Sequence, residues 1–255
     1  DLCKGKHFDI IHCHDSHAHS AAVLTAAHYG ITTPIIVSRR VDFPVSSNPL
    51  SKWKYNHPSV KKIICVSDTI RTITAPSIKD VSRLAVVHSG IDLLKYSNAS
   101  KERILISELG LDPNAKIVGN LSALADHKDY HTSLRPPAEV IKADPTIHFI
   151  IAGQGPEEKR IQKMIRSLHL EGNVHMLGFR DDIVDVMKSL DLFLITSKTE
   201  GLGTIVLEAF AAGVPVVATR AGGIPEMVED TVTGLLAEPG DTESLKNATL
   251  RVLTD

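Results

Sequence analysis

The chain has 255 residues, enough for one large or two moderate domains. Apolar residues make up 43% and aromatics only 4%, so a core can form and must be aliphatic. The net charge of −2 lacks the basic excess a nucleic-acid partner demands, and no apolar run reaches the ~18 residues needed to cross a bilayer. Cys3, Cys13 and Cys65 lack metal-ligand spacing and read as reduced thiols of a cytosolic protein, with Cys13 and Cys65 in the core. The chain opens at Asp1, without Met or signal peptide, and ends inside a helical pattern from Thr242 to Leu253. It is therefore expected to be a fragment, or a mature chain whose first segment is absent.

Short aliphatic runs alternate with helical patterns along the chain. Asp9–Cys13, Pro34–Ser38, Lys62–Ser67 and Leu84–His88 read as four strands, with a helix from Ser20 to Tyr29 stopping at Gly30. A polar stretch from Tyr96 to Arg103, inside a break over residues 89–116, reads as a hinge. Beyond it, Ile117–Leu121, Ile147–Ala152, Val174–Leu177, Leu192–Thr196 and Val214–Thr219 read as strands, with a short sixth at Gly234–Ala237. Helices are expected over Glu157–Leu168 and Thr204–Ala212, the latter stopped by Gly213 and Pro215. Most strands are apolar at every position, as in parallel sheets covered on both faces. The expected fold is α/β: two Rossmann-like, doubly wound parallel-sheet domains, 1–92 and 93–255, the first incomplete.

The strongest chemical signal is Thr196-Ser-Lys-Thr-Glu200-Gly-Leu-Gly-Thr204, followed by a helix carrying Glu208. Ligands of such folds lie outside the carboxyl ends of the strands. Gly201 and Gly203 allow close approach to the backbone, and first-turn amides of a helix suit a phosphate. Glu208 lies one turn beyond Thr204, so both carboxylates are expected to converge on the helix start, where they can accept bonds from sugar or ribose hydroxyls. Gly153-Gln-Gly155 alone is weak, because Glu158 occupies the third glycine of a dinucleotide fingerprint. His12, His14, His17 and His19 invite a zinc reading, but no second conventional spacing supports it.

Taken in order, Asp9-Ile-Ile-His-Cys-His14, Ile64-Cys-Val-Ser67, Ser89-Gly-Ile-Asp92, Val118 to Asp129, Phe149 to Gly155, Val174 to Arg180, Thr196 to Thr219 and Ala221 to Glu226 resemble the retaining glycosyltransferases of family four, which have the GT-B fold. The resemblance covers essentially the whole chain. It implies that Lys128 binds the donor diphosphate, Glu200 holds the sugar hydroxyls and Glu208 the ribose. It further implies that Gly201, Leu202, Gly203 and Thr204 offer amides to sugar and phosphate. Gly153 would line the cleft, and Arg180, within Gly178 to Asp182, would frame the nucleobase.

Three places depart from the family. Ala123 stands where many relatives have an arginine that pairs with the lysine, leaving His127 as a neighbouring group that could help. Arg40 stands where relatives often have a histidine aimed at the sugar; an arginine can neutralise phosphate but cannot shuttle a proton. Arg40 is therefore counted with Lys128 and Glu200 as a catalytic candidate; Arg39, Arg40 or Asp42 is expected to face the acceptor or the donor. Pro136-Pro137 falls where relatives run a helix, and a late helix start is expected.

The reading is a retaining transfer from a nucleoside diphosphate sugar, as co-substrate, to a saccharide or lipid-linked hydroxyl acceptor in cell-envelope polysaccharide or lipopolysaccharide synthesis. It needs no metal or resident cofactor and no nucleic-acid partner. The expected location is the cytoplasm at the inner membrane face, with peripheral membrane contact through an N-terminal part beyond this chain. The alternatives are a nucleotide-sugar epimerase of related architecture and a non-catalytic nucleotide-sugar-binding module.

Overall fold

Asp15 and Gly30 bracket the first helix. The Asp15 carboxylate accepts the amides of His17 and Ala18 at 2.7 and 2.8 Å, and Gly30 closes the other end with φ 64°. That cap starts the helix at Ser16, a turn before the expected Ser20. The structure, a computed structural model, describes residues 8–97 and 102–254 and divides into two compact units between Ser89 and Gly90. Cys3 lies outside the described residues.

The first unit is a four-stranded parallel sheet, β1 (Ile11–Cys13), β2 (Ile35–Arg39), β3 (Val60–Cys65) and β4 (Leu84–Val86), in that spatial order. Its helices are α1 (Ser16–Tyr29), α2 (Pro49–Asn56) and α3 (Asp68–Thr74). Cys13 and Cys65 are free and buried, as expected. The sequence reading had no helix at α2. Its signal was Asn48-Pro49: Asn48 accepts the Leu50 amide at 2.8 Å, and proline suits the first helical position.

The second unit begins with two short helices, α4 (Leu94–Ser97) and α5 (Ile104–Glu108), inside the stretch read as a hinge. Leu105 is fully buried in the core, and Arg103 pairs with Asp191 at 2.5 Å. Neither helix is long enough to show a periodic apolar stripe. The strands that follow are β5 (Lys116–Leu121), β6 (Ile147–Ala152), β7 (Val174–Gly178), β8 (Leu192–Ile195), β9 (Val216–Thr219) and β10 (Leu235–Ala237). They form one parallel sheet in the order β10-β9-β8-β5-β6-β7. The fold is therefore α/β with parallel, Rossmann-like sheets, and this one reverses direction between β5 and β8. β9 starts at Val216, two residues after the expected start, and the Val214 amide instead closes the preceding helix onto Ala209 O at 2.9 Å.

Helices cover both faces of the second sheet. One face packs on α5, α9 (Ile183–Lys188) and α10 (Ile205–Ala212) through Leu105, Met187, Val206 and Ala209. The other packs on α6 (Tyr130–Ser133), α7 (Arg135–Ala143), α8 (Glu158–Ser167) and α11 (Thr242–Thr254) through Tyr130, Val140, Ile161 and Leu245. The proline pair does delay a helix: α6 ends at Ser133, and α7 starts at Arg135 with proline in its first turn.

Candidate functional site

At the reversal point the sheet has little pairing of its own. Only Val118↔Leu192 and Gly119↔Phe193 are in register between β5 and β8. Beyond them Asn120 donates from its side-chain amide to Leu194 O at 2.9 Å, so a side chain continues the ladder. Asn120 in turn accepts from Ser122 Oγ at 2.9 Å and Tyr130 Oη at 3.2 Å. Burial pushes the Tyr130 phenol up to about 12, so it stays protonated in this network.

The loops leaving β5 and β8 are bonded to each other. Thr196 Oγ1 donates to Lys128 O at 3.2 Å, and the Lys198 amide to His127 O at 2.8 Å. This brings Lys128, at the end of a 3₁₀ turn over Asp126–Lys128, to Glu200. The Lys128 ammonium donates to Glu200 Oε1, which also accepts from Ser197 Oγ at 2.7 Å. The two charged side chains are only 13% and 11% exposed, so the pair is largely shielded from water. Ser197 had not been singled out. It lies three residues before Glu200 in the quoted stretch, and nothing in the spacing marks its role.

Glycine is required at two close approaches. Gly222, after β9, has φ 51°, and a Cβ there would stand 1.6 Å from Glu200 O. Gly153, after β6, has φ 145°, and a Cβ would stand 1.9 Å from Ser122 O. Its amide donates to Gly178 O at 2.7 Å, tying the ends of β6 and β7 together.

An open cavity of about 820 Å³ lies at the carboxyl ends of β5, β6 and β7 within the second unit. Ser122, Ala123, Gly153, Phe179, Arg180, Tyr96 and Glu208 are among its lining residues. Glu208 and Glu200 stand in separate hydrogen-bond groups: Glu208 accepts from Tyr96 Oη, Glu200 from Lys128 and Ser197. Tyr96 had been read as part of the polar hinge; it is buried instead.

Arg180 faces the cavity with its guanidinium engaged on both sides. It donates to Asp182 at 2.8 and 2.6 Å and to Glu108 at 2.6 and 3.1 Å. These bonds hold the Asp182 carboxyl below its usual range and push Arg180 further up. What Arg180 offers a ligand is thus a fixed planar face. Its neighbour Phe179 is 67% exposed, which is unusual for a large apolar side chain.

The helix starts next to Thr204, as expected. α10 begins at Ile205, and Thr204 makes no side-chain cap. The amides of Val206 and Leu207 already donate to Gly203 O and Thr204 O at 2.9 and 3.0 Å, so they are not available to a phosphate. Leu202 is buried, and only its backbone can serve a ligand. Arg40 follows β2 in the first unit, exposed, with its guanidinium 3.4 Å from Ser89 Oγ. Arg39 is buried and donates to Tyr55 Oη at 3.0 Å and to Phe43 O. It packs in the unit's interior instead of facing a ligand. Among the described residues no three His, Cys, Asp or Glu side chains gather to hold a metal ion, and no helix is long and apolar enough to cross a membrane.

Comparison with known proteins follows this geometry. The family model for glycosyltransferase family 4 matches residues 1–94, and that for glycosyl transferases group 1 matches residues 101–255. N-acetyl-alpha-D-glucosaminyl L-malate synthase of Bacillus anthracis is 28% identical over 262 residues, covering 100% of this chain and 68% of the relative. The lipopolysaccharide core biosynthesis glycosyltransferase LpsE of Rhizobium meliloti is 28% identical over 149 residues, 58% of this chain and 43% of its own. The crystal structure of Anabaena HepE in complex with UDP and glucose superposes with a TM-score of 0.86 at 27% identity, covering 97% of this chain and 69% of that one. The chain thus spans from 43% to 69% of the length of these relatives. With the group 1 model matched over more than half of its length, the chain belongs to the glycosyl transferases group 1 family.

Proposed function

We propose that the protein containing this chain transfers a sugar from a nucleoside diphosphate sugar to a hydroxyl acceptor, with retention at the anomeric carbon. The observation that carries this reading is the shielded Lys128–Glu200–Ser197 group at the reversal point of the second sheet. An ammonium has three donors and a carboxylate several lone pairs. Paired to each other, Lys128 still has donors for a diphosphate and Glu200 still has lone pairs for sugar hydroxyls. Departure of the diphosphate builds negative charge while the sugar becomes oxocarbenium-like, and a fixed cation in a dry site stabilises that charge strongly. Glu208, on the cavity wall, would accept from the ribose. The fixed face of Arg180 and the exposed Phe179 ring would take the base. Gly153 and the backbone from Gly201 to Thr204 would lie against the donor.

UDP is the first probe to use, because HepE was solved with it. The reading needs no resident cofactor or metal. The names of the Bacillus anthracis and Rhizobium meliloti relatives favour an acceptor such as a small hydroxy acid or an envelope saccharide. They are a synthase's and a transferase's names, which favours transfer over the epimerase and the non-catalytic module. Arg40 would act on the acceptor side.

Glu200→Gln in the full-length enzyme tests it. Turnover should fall ~10²–10³-fold, as when one transition-state hydrogen-bonding group is lost, while UDP affinity changes little. Unchanged turnover would remove Glu200, and with it this assignment.

A further inference from the structure

We propose that the Tyr96 hydroxyl is a positioning group for the ribose-binding carboxylate of Glu208, so that a residue outside the glutamate motif sets how strongly the site prefers a ribonucleotide. The inference rests on the reading of Glu208 as the ribose acceptor. Tyr96 sits in α4 and is 4% exposed. Its hydroxyl donates to Glu208 Oε2, and both residues line the cavity. The tyrosine is itself held in place, because Lys188 Nζ donates to its carbonyl at 2.8 Å.

A glutamate in the first turn of a helix has three rotatable bonds, and a solvated one would sample many directions. A donor fixed on Oε2 removes most of that freedom. It leaves Oε1 and the remaining lone pair of Oε2 for two vicinal hydroxyls, which is what a ribose presents. Burial, and then the hydrogen bond to Glu208 and its charge, push the Tyr96 phenol well above its ordinary value. It therefore remains a donor across any working pH and does not become a second anion facing the carboxylate. Phenylalanine would fill the same volume and supply no donor.

The experiment compares UDP with 2′,3′-dideoxyuridine diphosphate by calorimetry, on the full-length protein and its Glu208→Gln and Tyr96→Phe variants. The unaltered protein should prefer UDP, and Glu208→Gln should erase most of that preference. Tyr96→Phe should weaken UDP about three- to tenfold, less than the worth of a whole charge-assisted hydrogen bond because Tyr96 acts only through Glu208, and leave the dideoxy affinity nearly unchanged. Tyr96→His, which keeps a ring donor, should recover part of the preference and covers the case where the phenylalanine variant fails to fold. If the unaltered protein binds both ligands equally, the ribose reading of Glu208 fails and this inference falls with it. If Glu208→Gln abolishes the preference but Tyr96→Phe keeps it whole, the ribose reading stands and the inference is overturned. Equal losses for both ligands in Tyr96→Phe would show a purely structural tyrosine and overturn it as well.

Discussion

Both sheets carry cations at or near the carboxyl ends of their strands, but with different partners. In the first unit, Arg39 ends β2 and donates to the Tyr55 hydroxyl and the Phe43 carbonyl, with its guanidinium 5.6 and 5.7 Å from the two ring centroids. Lys54 of α2 donates to Ser16 Oγ and Ser20 Oγ, each at 2.9 Å. Among the described residues neither cation has a carboxylate within ion-pair distance. Lys128 in the second unit shares a carboxylate with a serine hydroxyl. A cation surrounded by neutral acceptors and rings is held by packing. A cation sharing a carboxylate at a sheet's reversal point can exchange donors with an incoming anion. Position at a strand end does not by itself separate the two roles; the partner does.

The sharpest break of this comparison is Lys128→Ala. It leaves the Glu200 carboxylate shielded and without its cation, which typically costs about 3–5 kcal/mol. Lys128→Ala combined with Glu200→Gln should cost far less, because neither charge is then stranded. Urea denaturation of the four proteins checks the cycle. Additive losses would mean that the pair is solvated and weak. UDP affinity should also drop about tenfold or more in Lys128→Ala, and UMP affinity less, if Lys128 serves the outer phosphate.

His19 offers the next test, in the first unit. Its ring is fully buried, with Nε2 3.2 Å from the Lys54 carbonyl and Nδ1 without a partner, as suits a neutral imidazole. Burial, and then the Lys54 charge, push it down to about 4 from an ordinary 6.5. Between those values the unfolded chain binds a proton that the folded chain does not. The contribution of His19 to stability is thus full above about pH 6.5 and is lost as the pH falls toward 4. The loss amounts to roughly 3 kcal/mol. His19→Asn should flatten that slope in denaturant titrations at pH 7.5 and 4.5. An unchanged slope would mean that His19 is already protonated in the fold.

Much of this was legible before any coordinates. The continuous aliphatic runs named every strand of both sheets to within about two residues, because strands covered on both faces leave little room for polar side chains. Glu200 and Glu208 stood out through the glycines and the helix beside them. Other features did not. Asp15 extends α1 backwards through a side-chain cap, where apolar periodicity is silent. α4 and α5 are too short for any period to show, so the burial of Tyr96, within the stretch read as polar, and of Leu105, just beyond it, has no local signal. The engagement of Arg180 by Glu108 joins residues far apart in the chain, and no local pattern encodes that.

Arg39 and Arg40 give the smallest and most discriminating contrast, because they are chain neighbours on opposite sides of it. Arg39→Ala removes a buried group with two hydrogen bonds and two ring contacts and should cost about 2 kcal/mol or more. Arg40→Ala removes an exposed side chain with one long contact to Ser89 Oγ and should shift stability by no more than about 0.5 kcal/mol. Denaturation midpoints of the two variants check the pair, and equal losses would erase the distinction between packed and available cations in this unit. Turnover of the full-length Arg40→Ala enzyme then asks a separate question. A fall of about tenfold at unchanged stability would fit a guanidinium that meets a charged substrate group. Unchanged turnover would leave Arg40 a surface residue and confine the essential cation of the reaction to Lys128.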